Sequence, residues 1–177
     1  MLITIFREES AMTPHGMTEN VSSVQDGYEM VDRYVRFYPT LALGSLALAF
    51  LPLFDDVTVD TGPVTIRQTY GTVFDMAGRP GGGPAVIGVL LLFGLVAMLA
   101  VAAFAPPRSA GLPSAIAVVA ALIALLLITK PATDTPKPHL SDGGTAGLVL
   151  VICATVLGAA HAVHLTVLAR RPRPAAS

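Results

Sequence analysis

The sequence predicts an all-α integral membrane protein, a bundle of four transmembrane helices with a small extracytoplasmic β-hairpin in its first outer loop. Three observations predict it. Residues 145–169 form a 25-residue run without Asp, Glu, Lys or Arg, long enough to cross a hydrocarbon core of about 30 Å with some tilt. Three further apolar runs, at 37–54, 85–105 and 112–128, resemble it. Charged residues make up 13% of the chain and hydrophobic ones 53%, whereas a soluble domain carries about 25% charge.

Residues 1–20 are polar and irregular and read as a flexible tail. Its opening MLITIFREES has too short an apolar run, with acids directly behind it, for a cleavable signal peptide to be expected. A helical period begins in 21–36: Val24, Tyr28, Val31, Val35 and Tyr38 fall on one stripe, and Asp26, Glu29, Asp32, Arg33 and Arg36 lie mostly off it. The pattern fits an amphipathic helix at the membrane surface and equally a cytoplasmic extension of the first span. Tyr34, Phe37 and Tyr38 stand where an aromatic belt is expected.

The first span, 37–54, has Pro39 in its first turn and Pro52 in its last, and Asp55-Asp56 ends it. In the outer loop 55–84, Val57-Thr58-Val59 and Val64-Thr65-Ile66 flank the turn signal Asp60-Thr61-Gly62-Pro63, which predicts a hairpin. Thr69–Val73 continues in the same β-prone style. The glycines at 78–83 lack the Lys-Ser/Thr pair of a phosphate-binding loop and read as a linker. Spans 85–105 and 112–128 are joined by Pro106–Gly111, short enough to force an antiparallel pair. Pro113 sits near the start of a helix, where proline is tolerated. A polar loop, 129–144, stiffened by Pro131, Pro136 and Pro138, leads to the last span, and a basic tail, 170–177, follows.

Orientation is read from Lys and Arg near span ends. One side has Arg33, Arg36, Arg108, Arg170, Arg171 and Arg173; the other has Arg67, Arg79, Lys130 and Lys137. Both termini are therefore expected in the cytoplasm, with loops 55–84 and 129–144 outside. The nine Arg against two Lys, with abundant Ala, Gly, Val and Pro, resemble the usage of a high-GC bacterial genome, so the bacterial plasma membrane is the expected location.

In lipid, apolar surface does little to drive association, and small residues that let backbones approach carry the packing signal. Gly147, Ala154, Gly158 and Ala162 line one face of the last span. Weaker small-residue pairs are Ala117/Ala121 and Ala120/Ala124, Ser45/Ala49, and Gly88/Gly94. His161 projects from the same face as Ala154 and Gly158, toward the bundle interior. His164 lies about 60° farther round and nearer the cytoplasmic end. An ionisable group inside a membrane is by default a functional candidate, and a neutral imidazole that hydrogen-bonds a neighbouring helix is the plainer alternative. His161 and His164 are thus the candidate cofactor or proton site.

Several chemistries are disfavoured. Paired axial His on different spans are lacking, so haem binding within one chain would need Met98 or a second copy. Two His three apart without a third ligand make a weak zinc pattern. Cys153 is the single cysteine, which removes disulfide and dithiol chemistry, and it is expected to be an inert core thiol. Asp55, Asp56 and Asp60 read as solvated surface charge. A net charge of −1 gives no pull toward nucleic acid. No catalytic set and no cofactor are indicated. The layout looks like the claudin-type plan, but the Trp and paired Cys that mark that family's first loop are absent, and no residue is carried across. The expected function is therefore a non-enzymatic accessory or scaffold subunit. Its partners would be the lipid bilayer and another membrane protein, or itself as a homo-oligomer. The alternatives are a redox or proton-handling subunit using His161 and His164, and a small oligomeric transporter.

Overall fold

The computed structural model describes residues 33–60, 62–80, 82–129 and 138–170. The tail 1–20, most of the 21–36 stripe, the centre of the 129–144 loop and the tail from 171 lie outside the described residues. In chain order the elements are α1 (Tyr38–Leu48), β1 (Val57–Asp60), β2 (Thr65–Gln68), α2 (Val73–Ala77), α3 (Gly83–Phe104), α4 (Gly111–Thr129) and α5 (Asp142–Ala169). Among the described residues, α3, α4 and α5 are long and apolar enough to cross a membrane.

The first apolar run differs from the expected 18-residue span. Its helix, α1, has 11 residues, about 16 Å at 1.5 Å per residue. Proline shapes both ends. Pro39 has no N–H to offer the carbonyl of Val35, and the helical turn at 33–35 is separated from α1 by a turn at 36–37. Beyond Leu48 the amides of Ala49, Phe50 and Leu51 reach back only three residues, at 3.1–3.2 Å, the tighter 3₁₀ pattern that commonly finishes a helix. Past Pro52 the chain is extended. The Ser141 amide donates to the Leu53 carbonyl at 3.1 Å and the Asp55 amide to the His139 carbonyl at 2.9 Å, forming a β-bridge between Phe54 and Leu140.

The hairpin forms with Val57 opposite Gln68 and Asp60 opposite Thr65. Gly62 in the turn has φ +86°, a left-handed conformation that glycine adopts without steric cost. An exposed ion pair, Arg67 to Asp56 at 2.9 Å, flanks the strands. The β-prone character of 69–73 does not persist into a strand: Val73 begins α2. Thr72 accepts from the Asp75 amide while the Asp75 carboxylate accepts from the Thr72 amide. This reciprocal cap satisfies two helix-end donors that a strand would have left to a neighbour.

Helices α3 and α4 are joined by the short segment 105–110, and α4 and α5 run antiparallel. Ser141 caps α5 by accepting from the Gly144 amide. Leu95, Leu99 and Ala102 of α3 meet Ile116, Ala120 and Ile123 of α4, Val151 and Ala154 of α5, and Tyr38 and Ala42 of α1 in one core. The buried positions of α5 are Gly144, Gly147, Val151, Ala154, Gly158, His161, Ala162 and Leu165. Leaving Ala162 aside, they are spaced alternately three and four apart, the seam of a helix packed along its length. At Gly158 α4 and α5 approach closely: a Cβ there would stand 2.8 Å from the Pro113 carbonyl oxygen and 3.1 Å from the Ala117 nitrogen. Ala120 and Ala124 are buried and Ala121 is exposed; Ser45 and Ala49 are both buried.

Two ends of the bundle follow from these contacts. One carries the hairpin, α2, the start of α3, the end of α4 and the Leu53–Asp55 bridge to His139–Ser141. The other carries Tyr34, Tyr38, the 105–110 connection and the end of α5.

Candidate functional site

The α5 seam brings His161 to the end of the bundle opposite the hairpin. Its side chain is fully buried. Tyr38, also fully buried, places its hydroxyl 2.6 Å from Nδ1 of His161. The Tyr34 ring stacks on the imidazole with centroids 4.9 Å apart and planes 10° apart, and it meets His164 edge-on at 6.0 Å. Four rings therefore form one cluster: two tyrosines one helical turn apart beside two histidines three residues apart on α5. Such spacings set each pair on one side of its own segment.

The belt expected at Tyr34, Phe37 and Tyr38 thus divides. Phe37 is exposed, whereas Tyr38 is inside, where the imidazole opposite offers its hydroxyl a partner that lipid cannot. Sequence reasoning missed this pairing. The available signal was that Tyr34 and Tyr38, four apart, stand at the start of one apolar run while His161 and His164 are the histidines of the other apolar runs.

Two polar atoms in this region are buried with no hydrogen-bond partner among the described residues: Nε2 of His161 and Oγ of Ser45. Ser45 is two helical turns beyond Tyr38 on α1. If the Tyr38 hydroxyl donates to Nδ1, the imidazole proton sits on Nε2 and is unpaired. If Nδ1–H donates, Nε2 carries a bare lone pair. In either tautomer one hydrogen-bonding position of the ring is unused, which is costly inside a bundle. Nε2 is also the nitrogen a haem iron or metal would take. It is sealed from solvent, so ligation there requires the surrounding packing to open. His164 is only partly buried. Among the described residues no three His, Cys, Asp or Glu side chains gather as a metal-ligand set.

The structure places Gly147, Ala154, Gly158 and Ala162 together on the buried seam. Gly147 packs against Leu48 of α1, whose Cδ1 lies 3.3 Å from where a Cβ would stand. Cys153 corrects an expectation: it is exposed and not a core thiol. It falls between the buried positions Val151 and Ala154 in sequence, yet 100° per residue carries it to the opposite side of the helix. Compared with known families, curated proteins and solved structures, the chain matches none.

Proposed function

We propose that this is a non-enzymatic polytopic protein of the bacterial plasma membrane, an accessory or scaffold subunit that binds another membrane protein or a second copy of itself. In this reading α1 with its flanking turns makes a fourth crossing, both termini are cytoplasmic and the hairpin is outside. The observation that carries it is the outward seam of α3. Only 17% of the helix's most apolar window is buried inside the chain. Ile87, Leu90, Gly94, Ala97, Val101 and Phe104 are all exposed, alternately three and four apart, and a Cβ on Gly94 would meet nothing within 4 Å. Apolar residues alone would suit lipid. Two small residues at the centre of a seam suit a second helix, because they let its backbone come close.

The test is co-purification from native membranes in mild detergent. The wild-type chain is expected to carry a stoichiometric partner or a second copy, and Gly94→Leu to lose it while keeping its helix content. Retention of the partner by Gly94→Leu, or a wild-type chain isolated alone, would sink the reading.

A second reading, a proton-handling or redox subunit, is favoured by the unpaired Nε2 of His161 beside Tyr38, Tyr34 and His164. A visible spectrum of the protein purified from native membranes separates its haem version from the scaffold: a Soret band supports haem.

A further inference from the structure

Away from the histidines, the hairpin end holds a cavity of about 590 Å³, within the range of small-ligand sites. Its walls are Leu92 of α3, Ile123 and Leu127 of α4, Val151 of α5 and Leu48 of α1. Gly88 of α3 also lines it, and a Cβ there would meet nothing within 4 Å, so the space comes up to the α3 backbone. Residues of the stretch from Tyr70 to Pro80, with Gly82, lie over one end, with Tyr70 and Arg79 contributing polar groups. Gly82 fixes that cover against the start of α3: a Cβ there would collide with the carbonyls of Met76 and Ala77. Leu126 and Thr129, both on the cavity, are exposed, so the opening faces outward along α4.

Arg79 is the only cationic side chain on this cavity among the described residues. Its Nη2 donates to the Thr69 and Tyr70 carbonyls and its guanidinium lies 6.0 Å from the Tyr70 ring centroid. These contacts hold it in place without neutralising it. The nearby acid is Asp75, whose carboxylate is engaged by the Thr72 amide and hydroxyl, each at 2.8 Å. No carboxylate lies within ion-pair distance of Arg79 among the described residues. A guanidinium has five N–H donors, and the two bonds here use Nη2 alone.

An apolar chamber beside a membrane-crossing helix, open sideways and tipped by one arginine, suits one chemistry. We propose that it holds a lipid-derived acyl chain with an anionic head group, the chain between α3 and α4 and the head at Arg79. The apolar walls exclude a wholly polar ligand, because desolvating one without partners is unfavourable. The guanidinium selects carboxylate or phosphate over a neutral head.

The experiment uses the full chain in nanodiscs with a photoactivatable diazirine fatty acid, its matched fatty alcohol, and mass-spectrometric mapping of adducts. Adducts are expected on Leu92, Ile123 and Leu127. Gly88→Leu fills the chamber and is expected to lower labelling about tenfold, the equivalent of 1.4 kcal/mol, with Gly88→Ala intermediate and helix content unchanged in both. Arg79→Gln is expected to lower labelling by the acid about tenfold and leave the alcohol unaffected. Competition by phosphatidylglycerol identifies a phospholipid as the natural source; competition by free fatty acid alone identifies a carboxylate. Equal labelling of Gly88→Leu and wild type would overturn the site, and equal loss of acid and alcohol labelling in Arg79→Gln would overturn the anionic head.

Discussion

The Tyr38 hydroxyl and the His161 imidazole meet 2.6 Å apart, 123 residues apart in sequence, and neither side chain reaches solvent. The contact joins the beginning of α1 to the late part of α5 and closes the bundle at the end opposite the hairpin. It also explains how a histidine can sit on an otherwise small and apolar seam. One ring nitrogen is satisfied across the bundle, Tyr34 covers a ring face, and the remaining nitrogen is enclosed.

If the pair is a packing device, its energetic value is modest. Hydrogen bonds between membrane helices average about 0.6 kcal/mol in double-mutant cycles and reach about 1.7. His161→Leu should therefore cost about 1–2 kcal/mol at most, and the cycle with Tyr38→Phe should give a coupling within the same range. Reversible unfolding in mixed detergent micelles measures both. Partner binding should survive. A His161→Leu protein that stays folded but loses its activity in cells would instead assign the ring a proton or ligand role.

Gly158 makes a stronger demand. A methyl group there meets backbone, the Pro113 carbonyl at 2.8 Å, and backbone cannot rotate aside as a side chain does. Gly158→Ala should destabilise by about 1–3 kcal/mol, the usual cost of overpacking. Gly94→Ala, at an exposed helix position with open space around it, should be neutral or slightly stabilising, since alanine is the better helix former. The same unfolding assay compares them. Equal costs at the two sites would mean that α4 and α5 do not approach as described.

These two contacts show how much was legible. Periodicity alone put Gly147, Ala154, Gly158 and His161 on one face, because a helix converts spacing into direction without reference to its neighbours. The partner of that face was not legible. Which helix supplies Pro113, and which tyrosine faces His161, depends on how the helices are arranged around one another, and apolar runs of similar composition do not encode that arrangement. Residues 37–54 look uniformly apolar, so composition extended the first helix past Leu48, where the chain turns to bridge Leu140. The helix at Val73–Ala77 was hidden by β-prone side chains, although Thr72 and Asp75 stand at capping-box spacing. Cys153 lies in an apolar run that looks like core, yet its direction around α5 takes it away from the buried seam.

The α2 cap gives a pH dependence. Hydrogen bonds from the Thr72 amide, then from its hydroxyl, with Arg79 adding a smaller effect, hold the Asp75 carboxyl below its ordinary value of 3.8. A group whose pKa is lowered by folding stabilises the folded form above its unfolded value. That contribution fades as pH falls through the lower, folded value. Amide exchange across residues 73–78, corrected for its intrinsic pH dependence, should therefore show α2 protected at pH 5–7 and losing protection only below the ordinary carboxylate range. Asp75→Asn should remove the dependence. An unchanged protection profile down to pH 2 would show that the carboxylate does not hold this cap.

The last prediction concerns sidedness. The Asp55–His139 and Ser141–Leu53 bonds tie the two long loops to one end of the bundle, so a single assignment fixes both. Among the described residues Arg67 and Arg79 lie at that end, and Arg33, Arg36, Arg108 and Arg170 at the other. Cationic residues near span ends favour the cytoplasmic side, so the proposed orientation puts the hairpin outside and the Tyr38–His161 end inside. The test begins with Cys153→Ala, expected to change stability by no more than about 0.5 kcal/mol because the residue is exposed. In that background a cysteine replacing Thr65 should react with an impermeant maleimide in intact cells. A cysteine replacing Ser109 should react only after the membrane is opened. The reverse pattern would invert the protein in the membrane. Reaction of both in intact cells would show that the hairpin and the 105–110 connection share one side, which the antiparallel α3–α4 pair does not allow for a chain that crosses the bilayer.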